Sequence, residues 1–192
     1  MQSSKLRSII LSSIFAAITA ILAQVQFQAF IVPFSGQTLG VGLTATILGS
    51  RLGGLSLICY MLLGVIGLPV FSGFSGGPHI ITGPTGGFII GFIFTAYITG
   101  WILEKTKFNV AMAIIANIIG MFITLAFGVV QLKYTADLSW TAAMSQGVYP
   151  FIGIGIIKAI LASWIGITVR KRLIKAQLLF NANKRSEHRK TA

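Results

Sequence analysis

Residues 67–87 read Gly67-Leu68-Pro69-Val70-Phe71-Ser72-Gly73-Phe74-Ser75-Gly76-Gly77-Pro78-His79-Ile80-Ile81-Thr82-Gly83-Pro84-Thr85-Gly86-Gly87. The Gly-Pro and Ser-Gly pairs break any helix and demand turns. The chain is apolar on both sides, over about 52–71 and 84–103. The stretch therefore joins two long apolar helices. A slack linker would be polar and Ser/Gly-rich, but this one interleaves Phe71, Phe74, Ile80 and Ile81. The reading is a compact loop folded onto a cavity, able to act as a lid whose backbone approaches a ligand closely. It is not a phosphate loop, because Gly-Lys-Ser/Thr is absent.

Composition carries the same reading to the whole chain. Of 192 residues, 55% are hydrophobic and 9% charged, with 15 Lys and Arg against three acids, a formal charge of +12. Soluble domains carry about 25% charged residues. A strongly basic balance can mean nucleic acid, but not together with a mean hydropathy of +0.87. A disordered chain, an ordinary soluble enzyme and a DNA-binding domain are excluded, which leaves an integral membrane protein.

A spanning helix needs about 20 apolar residues. The apolar runs are about 8–30, 38–50, 52–71, 84–103, 109–131 and 147–169. They predict an all-α, six-helix membrane bundle as a single domain over 1–192, with no soluble domain beside it. The second run is short and rich in glycine (Gly36, Gly40, Gly42, Gly49). It is expected to tilt, or to break where it lines a cavity. The basic start Lys5-Leu6-Arg7 leads into a first membrane helix rather than a cleaved signal. Cys59 stands alone in an apolar run, so disulfides do not hold the fold.

Six helices put both termini on one side. With that side cytoplasmic, 13 basic residues fall inside, Lys133 outside and Lys158 within a helix. This is the positive-inside pattern. The basic tail 170–192 suits that topology and attraction to anionic lipid; no nucleic-acid partner is expected.

Lys158 is the sharpest candidate for chemistry. It sits about ten residues from the outer end of the last run, and a membrane lysine normally faces a cavity or a partner. Glu104, Asp137 and Glu187 all read as loop or tail residues, so a ligand carboxylate is the reasonable counter-charge. Asn117 is the best further ligand candidate among outer-half polar residues that include Gln24, Gln26, Gln28, Gln37, Gln131, Tyr149 and His79; helix bridging is its alternative role. His79 lacks other metal-type ligands nearby, so no metal site is expected. Ser12, Ala16 and Ala20 recur every four residues, a spacing that suits close helix packing. No carboxylate pair, Cys-His pair or nucleophile elbow is present. The reading is not an enzyme, and no cofactor is implied.

Several segments together resemble the BioY family, the biotin-specific S components of energy-coupling factor (ECF) vitamin transporters. They are Gly64-Val65-Ile66-Gly67-Leu68-Pro69-Val70-Phe71, Ser75-Gly76-Gly77, Gly83-Pro84-Thr85-Gly86-Gly87-Phe88, Val32-Pro33-Phe34, Gln37-Thr38-Leu39-Gly40, and Tyr149-Pro150-Phe151 with Lys158. The resemblance covers about 30–165. It implies a six-helix S component in the bacterial cytoplasmic membrane that captures biotin in an outward pocket capped by loops. Its partners would be a membrane coupling subunit and two ATPases. Ala16 and Ala20 match the Ala-x-x-x-Ala motif that docks the coupling subunit in this family. The ligand set expected from residues and resemblance together is Lys158 for the carboxylate, with Asn117, Gln37, Gly86, Phe88, Phe74, Tyr149 and Phe151 around it.

The chain departs from the family in places. Gly155 stands where an aspartate is expected, Phe88 where relatives often show Tyr or Arg, and Phe34-Ser35-Gly36-Gln37 follows Pro33. A pocket carboxylate is suited to accept the two ureido N–H groups of biotin. Its loss leaves lipoate, with an apolar sulfur-bearing ring and a similar acid tail, as the alternative ligand. A stand-alone carrier or a membrane enzyme is the weaker reading of the whole chain.

Overall fold

The computed structural model describes residues 2–179. Helix α1 runs Gln2–Ala23, and a two-stranded hairpin follows, β1 (Gln26–Phe27) and β2 (Phe34–Ser35). Then come α2 (Gln37–Leu48), α3 (Ser50–Val65), the short α4 (Pro78–Thr82), α5 (Gly86–Lys105), α6 (Val110–Thr135), α7 (Trp140–Gly147) and α8 (Tyr149–Lys175). Six of the described helices are twelve residues or longer, one for each apolar run. The part of the tail beyond 179, with Lys184, Arg185, Arg189 and Lys190, lies outside the described residues.

Among the described residues, four helices, α1, α5, α6 and α8, are long and apolar enough to cross a membrane. Helices α2 and α3 have only 12 and 16 residues, about 18 and 24 Å at 1.5 Å per residue. That is short of the roughly 30 Å hydrocarbon core. The first run was expected to extend to residue 30, but its helix stops at Ala23. Residues 26–35 pair as a hairpin, Gln26 with Ser35 and Phe27 with Phe34. The third run was expected to reach residue 71, but α3 ends at Val65. Gly67, with φ of 102°, takes a left-handed conformation that suits glycine.

Helices α2 and α3 meet at a one-residue corner, Gly49, with φ of 84°. Glu104 closes it. The residue lies in the last turn of α5 rather than in a loop, correcting the sequence reading. Its Oε1 accepts the Ser50 N–H at 2.8 Å and its Oε2 accepts the Ser50 hydroxyl at 2.7 Å. From the other side Arg170 donates to the Ile47 carbonyl, and its guanidinium lies 3.6 Å over the Phe108 ring. A carboxylate thus sits at a helix N-terminus and a cation at a helix C-terminus, the favourable arrangement for the two helix dipoles. Glu104→Ala is expected to remove two charge-assisted bonds and cost about 2 kcal/mol. The measurement is the thermal unfolding midpoint in detergent, with Glu104→Gln expected to lose less.

Elsewhere the bundle is held by small residues and hydroxyls, as lipid-embedded helices are. Thr95 Oγ1 donates to the Gly120 carbonyl at 2.8 Å and lies 2.7 Å from Thr124 Oγ1, tying α5 to α6. Ser56 Oγ donates to the Ser12 carbonyl at 2.8 Å, tying α3 to α1. The core is Tyr60, Phe71, Leu57, Phe92 and Leu132, while Ile14, Phe94, Trp101, Phe122 and Trp164 stay exposed on the outside. An apolar exterior of this kind suits lipid.

Candidate binding site

A cavity of about 260 Å³ opens at the end of the bundle away from the Gly49 corner. Four helices wall it: α2 with Gln37, Thr38 and Gly42; α5 with Phe88, Phe92 and Thr95; α6 with Asn117, Met121 and Thr124; α8 with Phe151, Gly155, Lys158 and Ala162. Two irregular pieces roof it. One is the β1–β2 hairpin, through Gln28, Ile31, Val32, Pro33 and Ser35; the other is the 67–85 loop, through Phe71, Ser72, Ser75, Ile80 and Thr85.

The roof is ordered by side chains that bond its backbone. Gln24 Nε2 donates to the Phe71 carbonyl at 3.1 Å, and Gln24 Oε1 accepts the Phe74 N–H at 2.8 Å. Gln131 Nε2 donates to the Ile81 and Gly83 carbonyls at 2.6 and 2.8 Å. A relay joins the hairpin to the loop. Ser35 Oγ donates to Gln37 Oε1 at 2.7 Å, Gln37 Nε2 to Tyr60 Oη at 2.6 Å, and Tyr60 Oη to the Val70 carbonyl at 3.0 Å. The compact loop expected from the sequence is present, and three glutamines build it.

Lys158 reaches into this cavity. Its Nζ donates to the Ser35 carbonyl at 2.7 Å and to Thr38 Oγ1 at 3.3 Å. Both partners are neutral, so among the described residues no carboxylate meets this side chain. Phe151 forms the nearby wall, 4.5 Å between ring centroids from Phe34 and 6.4 Å from Phe88. Asn117 lies deeper, 5% exposed.

Five of the eight residues expected around a ligand line the cavity: Lys158, Asn117, Gln37, Phe88 and Phe151. Three do not. Phe74 sits at the turn of the loop with φ of 53° and is 71% exposed. Tyr149, at the start of α8, is 61% exposed. Gly86 packs under the Ile81 carbonyl and Gln131. Ala16 is 1% exposed and packs α1 against the core, with Ala20 beside it. It also helps line a shallow groove with Ser13, Cys59, Leu62, Leu63 and Ile66. Among the described side chains of α1, the small residues turned outward are Ser13 and Ala17.

Sequence reasoning missed Thr38, Gly42 and Met121. The first two are one turn apart on α2 and could have been found as a small, polar stripe beside Gln37. Met121 gave no signal. Its Sδ lies 2.4 Å from where a Cβ on Gly155 would stand. A side chain at 155 would have to displace it, so this wall of the cavity is thioether rather than carboxylate.

The model of the BioY family matches residues 1–175. The chain belongs to the BioY family. Among BioY relatives, "Biotin transporter BioY2" of Lactococcus lactis subsp. cremoris (strain MG1363) is 39% identical over 173 residues, spanning 90% of this chain and 95% of the relative. "Biotin transporter BioY" of Thermotoga maritima is 36% identical over 86% of this chain and 97% of its own length. A crystal structure described as the S-component for biotin from an ECF-type ABC transporter superposes with a TM-score of 0.80 at 27% identity, covering 89% of this chain and 94% of that one. The chain is accordingly a multi-pass membrane protein with an ECF S-component fold, a transporter component rather than an enzyme.

Proposed function

We propose that this chain is the substrate-capturing S component of an ECF-type transporter and that its ligand is biotin. The observation that carries the reading is Lys158. A membrane-buried ammonium held only by neutral oxygens, at the mouth of a largely apolar cavity, suits the carboxylate of a small acid. The relatives' names support biotin as that acid. The basic residues Arg7, Arg51, Lys105 and Lys107 belong to the opposite end, which supports reading that end as the cytoplasmic one in a bacterial cell, with the cavity turned outward. A coupling subunit would seat on the groove between α1 and α3, and two ATPases would drive release. Capture then needs no phosphate loop in this chain.

One observation favours a second ligand. With Met121 against Gly155, the wall offers a sulfur and methylenes to the ligand's ring, and the acid-tailed, sulfur-ringed lipoate fits that chemistry. The deciding experiment is calorimetric titration of detergent-purified protein with biotin and with lipoate. Saturable binding of biotin supports the first reading, and of lipoate alone the second. If neither binds, the capture reading is wrong. Uptake by cells that lack the ATPase subunits would instead point to a stand-alone carrier.

A further inference from the structure

Asn117 carries an atom with no partner. Its Nδ2 lies 2.9 Å from Thr46 Oγ1, 3.0 Å from the Ala113 carbonyl and 3.0 Å from Ser163 Oγ, three oxygens that share its two N–H donors. These partners settle which way the amide points. The Ala113 carbonyl can only accept. Ser163 Oγ gives its proton to the Ala159 carbonyl at 2.6 Å, so towards Asn117 it too must accept. Both demand the NH2 side of the amide. Oδ1 is thereby turned the other way, towards Gly42 of the cavity wall, 2.8 Å from where a Cβ on that glycine would stand. No hydrogen bond reaches this oxygen from the described residues. The oxygen is not sealed in the core, since among the described residues Arg170 Nε is the buried side-chain atom left without a partner; Asn117 lines the cavity, and the cavity is where a partner for Oδ1 can come from.

The other polar groups at this depth are already engaged. The Thr95 and Thr124 hydroxyls bond each other, and Thr95 also bonds the Gly120 carbonyl. Along α2, Gly42 lies four residues below Thr38, which touches Lys158; along α8, Ala162 lies four residues beyond Lys158. The cation and the free oxygen are thus about one helical turn apart, roughly 6 Å along the axis. A short aliphatic chain between a carboxylate and a ring fits that spacing.

We propose that Asn117 Oδ1 is the specificity-determining acceptor of the cavity, reading an N–H on the ligand's ring while Lys158 holds the carboxylate. The inference rests on the capture reading above and deepens it. The ring must carry a hydrogen-bond donor, as a cyclic urea does and a dithiolane does not. Asn117 then supplies the acceptor that no acid at position 155 provides. Its NH2 is held among oxygens of α2, α6 and α8, so the oxygen is placed before the ligand arrives.

The test removes the donor from the ligand first. Purified protein is titrated with biotin, with biotin methylated on its ring nitrogens, and with lipoate, and the same series is run on Asn117→Leu. Methylation is expected to weaken binding to the unaltered protein about tenfold or more, and to have little further effect on Asn117→Leu. If that variant does not fold, Gly42→Ala, whose Cβ would crowd Oδ1, takes its place. Equal binding of biotin and its methylated form overturns the proposal, as does an unchanged methylation penalty in the variant. Lipoate binding without biotin leaves the capture reading standing and removes the role of Asn117. Binding of none of the three overturns both.

Discussion

Lys158→Ala is expected to weaken binding of the ligand acid by about two orders of magnitude, with little loss of stability. Truncating one member of a buried, hydrogen-bonded charge pair costs on the order of 2–5 kcal/mol, and tenfold in affinity is about 1.4 kcal/mol. The empty protein loses less, because the ammonium meets only the Ser35 carbonyl and Thr38 hydroxyl and a charge at membrane depth is itself costly. Unfolding in detergent should therefore shift little, or rise. The amide of the same ligand should bind both forms equally weakly. A variant that loses stability and keeps affinity would show that Lys158 only fastens the hairpin.

A large effect on folding is expected from Gly100→Ala. A Cβ there would stand 2.3 Å from the Gly49 carbonyl carbon and from the Ser50 nitrogen. Both are backbone atoms of the α2–α3 corner, so no side-chain rotation relieves the clash. Helix α5 must move away, and Glu104, one turn further on, is pulled from Ser50. Overpacking typically costs about 1–3 kcal/mol, and this site should lie at the upper end. Gly153→Ala is the control. Nothing lies within 4 Å of its added Cβ, and alanine is the better helix former by roughly 1 kcal/mol. Unfolding midpoints should therefore move in opposite directions for the two changes.

Much of the architecture was legible because length and hydropathy alone separate membrane helices from loops. The six runs, the loop of 67–87 and the isolated charge of Lys158 needed nothing else. What was not legible was which face of each helix looks inward. Lipid is as apolar as a protein core, so the amphipathic period that marks a soluble helix is missing. Phe88 and Phe151 face the cavity while Tyr149 does not, and no pattern in the apolar runs distinguishes them. Glu104 misled for a related reason. Next to Lys105 and Lys107 it reads as the start of a solvated turn, whereas its contact, Ser50, is 54 residues away. The inward turn of Ala16 was likewise hidden, since a small residue serves close packing within a chain as well as between chains.

Gln24 gives α1 a second role. It follows the last turn of that helix, bonds back to the Ala20 carbonyl at 3.0 Å, and holds the roof at Phe71 and Phe74. Any displacement of α1 must carry the roof with it or break those bonds. A protein that displaced α1 from the groove beside Ala16 would therefore disturb the same roof that covers the cavity. Where binding at one of two sites alters the other's affinity, the effect is reciprocal and by the same factor. Were a partner to grip α1 there, loading of the cavity would reach it through Gln24.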